Sequence, residues 1–209
     1  MGKVLKLPNV VLRTVGRCVA PGRKSNEEHG RQREHLTPDE VEKLIQAAGA
    51  GRYPIRDQTL ILLCYRHGLR VSELVWLRWS QVDLKAARMA IARAKNGVGG
   101  VHPLTSRELR MLRKLKREQP EGCEFLFMSE RGAPMAPAAA QKVVKQAGVR
   151  AGLCFPVHIH MLRHSCGYAL INRGTDVRVV QQYLGHASIS NTVRYTHLDS
   201  TRFNGLFTD

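Results

Sequence analysis

Four residues in the C-terminal quarter of the chain have side chains suited to one reaction: His160, Arg163, His186 and Tyr195. His160 and Arg163 stand at i and i+3, which on a helix puts both on one face. His186 closes the phrase Leu184-Gly185-His186, in which Gly185 reads as a helix stop. Tyr195 follows nine positions later, in Arg194-Tyr195-Thr196-His197. Two imidazoles, a guanidinium and a phenol have little reason to be apolar core. Around a phosphodiester they make sense, with cations on the non-bridging oxygens and a tyrosine to attack phosphorus. His160 and His164 also stand at i and i+4, a spacing that suits zinc. No glutamate follows the first histidine and no third ligand stands at regular spacing, so no metal site is expected. His164 reads instead as packing or bonding within its helix.

The elements that must hold these groups are legible. Thr37-Pro38-Asp39-Glu40 is a capping box with proline in the first turn, and it predicts a helix to Ala48. A second, apolar helix is expected from Arg56 to His67, stopped by Gly68. Arg70 follows at once and opens a third helix with Val71, Leu74 and Trp76. At a helix start its side chain can reach a ligand beside free backbone N–H groups. It can also pair with Glu73 three positions on, and the two roles are compatible. From Gln81 to Leu104 the period changes to two, which predicts short antiparallel strands at Gln81–Leu84, Arg88–Arg93 and Gly100–Leu104. Asn96-Gly97 marks a tight hairpin with Lys95 at its turn; a turn lysine is ordinarily solvated and idle.

Ser106 to Glu118 is an amphipathic helix, with Leu109, Leu112 and Leu115 as its stripe and Arg110, Arg113, Lys114, Lys116 and Arg117 opposite. A helix from Pro137 to Ala151 carries Gln141, Lys142 and Lys145, which are placed to lie on DNA. The helix bearing His160 and Arg163 runs to Arg173-Gly174. Asp176 caps the next, and Ser188 starts a short one leading to Tyr195. The fold class is therefore mainly α with a small antiparallel β-sheet.

Lys plus Arg number 33 against 17 Asp plus Glu, a net charge of +16 that favours a polyanionic partner through counterion release. A basic protein that packs with RNA has the same composition. The five cysteines are widely spaced without a C-x-x-C, and read as reduced thiols of a cytoplasmic protein. No run of about eighteen apolar residues is present, so neither a membrane span nor a membrane partner is expected. Residues 1–35 hold eight Lys or Arg against three Glu, and 23–33 among them are polar, charged and aperiodic. They read as a flexible basic arm that either touches DNA or is merely a solvated leader, and residues 36–209 as the catalytic domain.

The pattern H-x-x-R, then L-G-H, then Tyr nine residues on, resembles the tyrosine recombinases of the phage-integrase family. Cys64-Tyr-Arg-His-Gly-Leu-Arg70-Val-Ser-Glu-Leu resembles the first arginine box of that family. Ala94-Lys95-Asn96-Gly97 resembles the hairpin that carries its lysine. The nearest resemblance is to the short fimbrial phase-variation recombinases, through Tyr65-Arg66-His67-Gly68 and His160-Met161-Leu162-Arg163-His164. It implies a catalytic set of Arg70, Lys95, His160, Arg163, His186 and Tyr195. Tyr195 would form a covalent 3′-phosphotyrosine. Arg70, Arg163 and His186 would hold the phosphate, Lys95 would protonate the leaving 5′-oxygen, and His160 would exchange a proton with Tyr195. No cofactor and no metal is needed.

Implied partners are double-stranded DNA, further copies of the chain as a dimer or tetramer on DNA, and accessory DNA-bending proteins, in the bacterial nucleoid. The tail after Tyr195, with Leu198, Phe203, Leu206 and Phe207, has apolar anchor points for docking on a neighbour. Three other readings stay open: a type IB topoisomerase-like relaxing enzyme, a non-catalytic DNA-binding regulator on the same fold, and a ribosomal-type basic protein.

Overall fold

The computed structural model describes residues 34–93 and 99–196. The hairpin tip with Lys95, Asn96 and Gly97, the expected arm up to residue 33, and the tail from residue 197 lie outside the described residues. Eight α-helices and a three-stranded sheet are formed among those that are described.

Helix α1 (Pro38–Ala48) begins on the predicted capping box, with Thr37 and Glu40 each bonding the other's backbone N–H. Helix α2 (Pro54–His67) is the centre of the bundle, and Thr59 through Cys64 are buried in succession. A helix buried all round needs no amphipathic period; α2 packs against α1, against α4 (Ser106–Glu118) and against α6 (Ile159–Asn172). It ends at Gly68, whose left-handed backbone (φ +56°) turns the chain sharply. Helix α3 (Val71–Val75) is a short turn with Arg70 as its N-cap. Trp76, expected within this helix, lies just past its end and is 56% exposed.

Strands β1 (Val82–Asp83), β2 (Arg88–Ile91) and β3 (Gly100–Pro103) form an antiparallel meander with Met89 opposite both Val82 and His102. Met89 and Ile91 face the core while Arg88 and Ala90 face outward, the half-buried alternation expected of such a sheet. Helices α5 (Pro137–Arg150), α7 (Val177–Leu184) and α8 (Ser190–Val193) complete the fold, and a 3₁₀ turn (Arg194–Thr196) carries Tyr195. Gln141 on α5 accepts the backbone N–H of Ile159, and so secures the start of α6. A second, smaller core gathers Cys166, Ile171, Val180, Leu184 and Tyr195 between α6 and α7. The fold thus closes around the residues singled out for chemistry. Among the described residues, no helix is long and apolar enough to cross a membrane.

Candidate active site

Two glycine turns face each other at the centre of the site. Gly68 ends α2 and Gly185 ends α7, both left-handed (φ +56° and +63°). Their meeting requires glycine for space as well as for φ: a Cβ on Gly68 would stand 2.3 Å from Leu184 Cδ2, and one on Gly185 2.6 Å from Arg93 Cγ. Arg163 reaches between the turns from α6. It donates one N–H to the Gly68 carbonyl and another, at 2.7 Å, to the Leu184 carbonyl. Its side chain is buried, which with the neighbouring charges of Arg70 and Arg93 lowers its pKa to about 10. It stays a cation at neutral pH.

Glu73 organises the guanidinium groups. Its Oε1 accepts from Arg70 at 2.7 Å, and its Oε2 accepts the Arg70 backbone N–H and an Arg93 N–H, each at 2.9 Å. Arg163 stands 3.9 Å from the same oxygen. One buried carboxylate therefore ties three cations. The Arg93 and Arg163 side chains are almost fully buried, while that of Arg70 is 26% exposed and so presents charge to the outside. The Arg70–Glu73 pair read from the sequence is present. Arg93 was not singled out, although a signal for it existed: Met89, Ile91 and Arg93 share strand parity, so an arginine continues the buried face.

Tyr195 is 1% exposed. Its ring lies flat on α6 at Gly167, where a Cβ would stand 2.5 Å from the ring carbon Cε2. Its hydroxyl is 3.1 Å from Nδ1 of His164, and Tyr168 packs edge-on at 5.1 Å between ring centres. Burial pushes the phenol up to about 12, with the Arg163 charge pulling the other way. The resemblance implied proton exchange between His160 and Tyr195, and His164 read as packing or bonding within its helix. In the structure His164 touches the phenol, while His160 stacks edge-on against His164 at 4.5 Å and faces solvent. The reason is the helix: one turn past His160, position 164 points into the small core where Tyr195 sits. Partial desolvation of its ring, followed by the Arg163 charge, lowers His160 to about 4, so it is neutral at pH 7.

His186 follows the Gly185 turn, its ring 6.2 Å from that of Tyr195 and nearly parallel. Its Nδ1 shares a hydrogen bond of 2.8 Å with Thr192 Oγ1. Burial and the arginine charges lower it to about 3, and with Nδ1 engaged by Thr192 the Nε2 edge is left for a substrate. Arg70, Arg163, His186 and Tyr195 are thus brought to one place, with His160 one ring removed. Lys95 lies outside the described residues.

A buried polar cluster beside the site was also not foreseen. His67 pairs with Glu108 at 2.9 Å and meets His102 at 3.2 Å, and Tyr183 bonds the Arg66 carbonyl and packs on the His102 ring. It joins α2, β3, α4 and α7 behind the glycine turns.

Comparison with known proteins follows the same lines. The family model described as "Phage integrase family" matches residues 34–202. The chain is 41% identical over 181 residues to the type 1 fimbriae regulatory protein FimE of Escherichia coli strain K12, covering 84% of this chain and 91% of that protein. It is 38% identical to the tyrosine recombinase XerC of Xylella fastidiosa, covering 78% of this chain and 56% of XerC. Among solved structures, XerA recombinase is similar with a TM-score of 0.71 at 28% identity, over 81% of this chain and 62% of that one. XerH site-specific recombinase bound to its difH substrate is similar with a TM-score of 0.70 at 26% identity, over 82% of this chain and 52% of that one.

Proposed function

Because this chain belongs to the phage integrase family, we propose that it is a site-specific tyrosine recombinase whose reaction centre is Arg70, Lys95, His160, Arg163, His186 and Tyr195. The observation that carries this reading is the convergence of Arg70, Arg163, His186 and Tyr195 on the two facing glycine turns. The Tyr195 oxygen attacks the scissile phosphorus. The bond from phosphorus to the 5′-oxygen breaks, leaving a 3′-phosphotyrosine and, once Lys95 has given that oxygen a proton, a 5′-hydroxyl. Bond energy is conserved, so a 5′-hydroxyl from a second duplex reverses the step without ATP.

Arg70 and Arg163 neutralise the charge that grows on the non-bridging oxygens, and His186 donates a third bond through Nε2. The phenol proton leaves by way of the histidines that adjoin it. His164 Nδ1 is the hydrogen-bond partner of the phenol at 3.1 Å, and His160, packed edge-on against the His164 ring, is the exposed imidazole beside it.

The partner is double-stranded DNA, which the net charge of +16 suits. Exchange between duplexes needs further copies of the chain on DNA, and accessory DNA-bending proteins fit the same reading. Its place is the bacterial cytoplasm, on the nucleoid. Residues 1–35 serve as a basic arm and residues 36–209 as the catalytic domain.

The test is to trap and map covalent protein–DNA junctions on a random duplex library bearing nicks, comparing the wild type with Tyr195→Phe. Phenylalanine is the right variant because it keeps the buried ring, whereas alanine would open a cavity costing about 3–5 kcal/mol. The wild type should give 3′-linked adducts at a recurring sequence, and Tyr195→Phe none while still binding. Adducts from the phenylalanine variant would remove Tyr195 as the nucleophile. A second duplex with the recovered site then separates strand exchange from simple relaxation.

A further inference from the structure

The reaction scheme leaves one buried guanidinium without a role. Arg93, two residues past β2, has a side chain that is 1% exposed. It bonds Glu73 Oε2 at 2.9 Å, the His67 carbonyl at 3.0 Å, the Gly68 carbonyl at 3.4 Å and the Tyr183 carbonyl. These are the groups that Arg70 and Arg163 also use, or their immediate chain neighbours. Glu73 aims Arg70, the Gly68 carbonyl is shared with Arg163, and Tyr183 precedes the Leu184 carbonyl that holds Arg163. Gly185 leaves room for the Arg93 stem, which any Cβ there would meet at 2.6 Å.

We propose that Arg93 is a positioning residue for the phosphate-binding arginines: it occupies Glu73 and the two glycine turns so that Arg70 and Arg163 keep their charge and aim for the phosphate. This rests on the assignment of Arg70 and Arg163 as phosphate ligands made above. The electrostatics supply the reason. Glu73 offers one negative charge to three cations, and Arg163 already stands 3.9 Å from the oxygen that Arg93 holds. Without Arg93 that carboxylate turns to Arg163, and opposite charges brought into hydrogen-bond contact in a buried site cancel strongly. The carboxylate would then neutralise the cation that the scissile phosphate needs. The α7 terminus would also lose the bond at Tyr183 that fixes the approach to His186.

The experiment uses full-length protein and a nicked duplex carrying the site recovered by junction mapping, with the scissile linkage either an ordinary phosphate or an uncharged methylphosphonate. Arg93→Met at saturating DNA should slow cleavage of the phosphate by about 100-fold, the scale of losing one oriented charge-stabilising donor. On the methylphosphonate, which asks for little charge neutralisation, the loss should shrink to less than about tenfold. Arg93→Lys keeps a cation against Glu73 but cannot bond all its partners at once; it should show the same selectivity at smaller size, and it serves if the methionine variant does not fold.

Equal losses on the two linkages, or no loss on either, would overturn the proposal, since a residue that only supports the fold does not distinguish a charged linkage from a neutral one. Arg70→Ala is run in parallel. If it lacks the phosphate-selective loss, the assignment of the phosphate ligands fails; if it has it and Arg93→Met does not, the role given to Arg93 alone fails.

Discussion

Tyr195 belongs to a hydrophobic core and is also the proposed nucleophile. It is buried to the same degree as the core leucines, and its hydroxyl is satisfied by His164. Gly167 makes this possible, since the ring occupies the space where a side chain would begin. An alanine in mid-helix ordinarily gains about 1 kcal/mol over glycine. Here its methyl would overlap the phenol ring, so Gly167→Ala should lift Tyr195 off α6. Fluorine NMR of fluorotyrosine-labelled protein would show this as one resonance moving from a buried to a solvent-exposed environment. An unmoved resonance would mean that α6 shifts and the ring stays.

At the level of elements, the site depends on helix ends rather than helix faces. Carbonyls released where α2 and α7 stop are the acceptors for Arg163, and the left-handed glycines make the stops sharp enough to face each other. Gly174, past the end of α6, has a left-handed backbone too (φ +80°) but nothing within 4 Å of a built Cβ. It is therefore an internal control. Gly174→Ala should cost only the left-handed penalty of about 1–2 kcal/mol. Gly68→Ala should cost about 2 kcal/mol more, because its methyl strikes Leu184 and parts the two turns. Denaturant unfolding of both variants gives the comparison, and equal losses would show that the turns yield to the added carbon.

For the molecule as a whole, the buried imidazoles predict how stability changes with pH. Burial and then the neighbouring His67 lower His102 to about 3, and burial and then His160 lower His164 to about 2. Unfolded, both return to about 6.5. As pH falls below that value the unfolded chain takes up protons that the folded chain refuses. The stability present above 6.5 is then lost progressively toward the folded values. Each group contributes on the order of 1 kcal/mol per pH unit in that window. Burial alone would raise Glu108, but the bonds from His67 and Thr105 outweigh it and lower its pKa, so its own contribution is lost only below the ordinary carboxylate range. Melting temperatures between pH 7 and 5 should fall, and His102→Gln should make the fall shallower by about one proton. An unchanged slope would mean that His102 is protonated inside the fold.

The fold class and the main helix starts and stops were set by local chemistry, and so they could be read from the sequence. A capping box, a glycine after an apolar helix and a strand of period two each act over a few residues, whatever the rest of the chain does. The resemblance to a family brought together the positions of Arg70, His160, Arg163, His186 and Tyr195, which stand far apart in the chain. What no local rule contains is which buried groups meet. Glu73 was visible as a partner of Arg70 three residues away, but not as the carboxylate that also takes Arg93 twenty positions on. His164 was assigned to its own helix, because nothing in its neighbours announces a tyrosine thirty-one residues later. His67, His102 and Glu108 are ordinary polar residues until three elements fold over them. Tertiary packing decided these contacts, since a buried charge or imidazole takes its partner from whatever element closes over it.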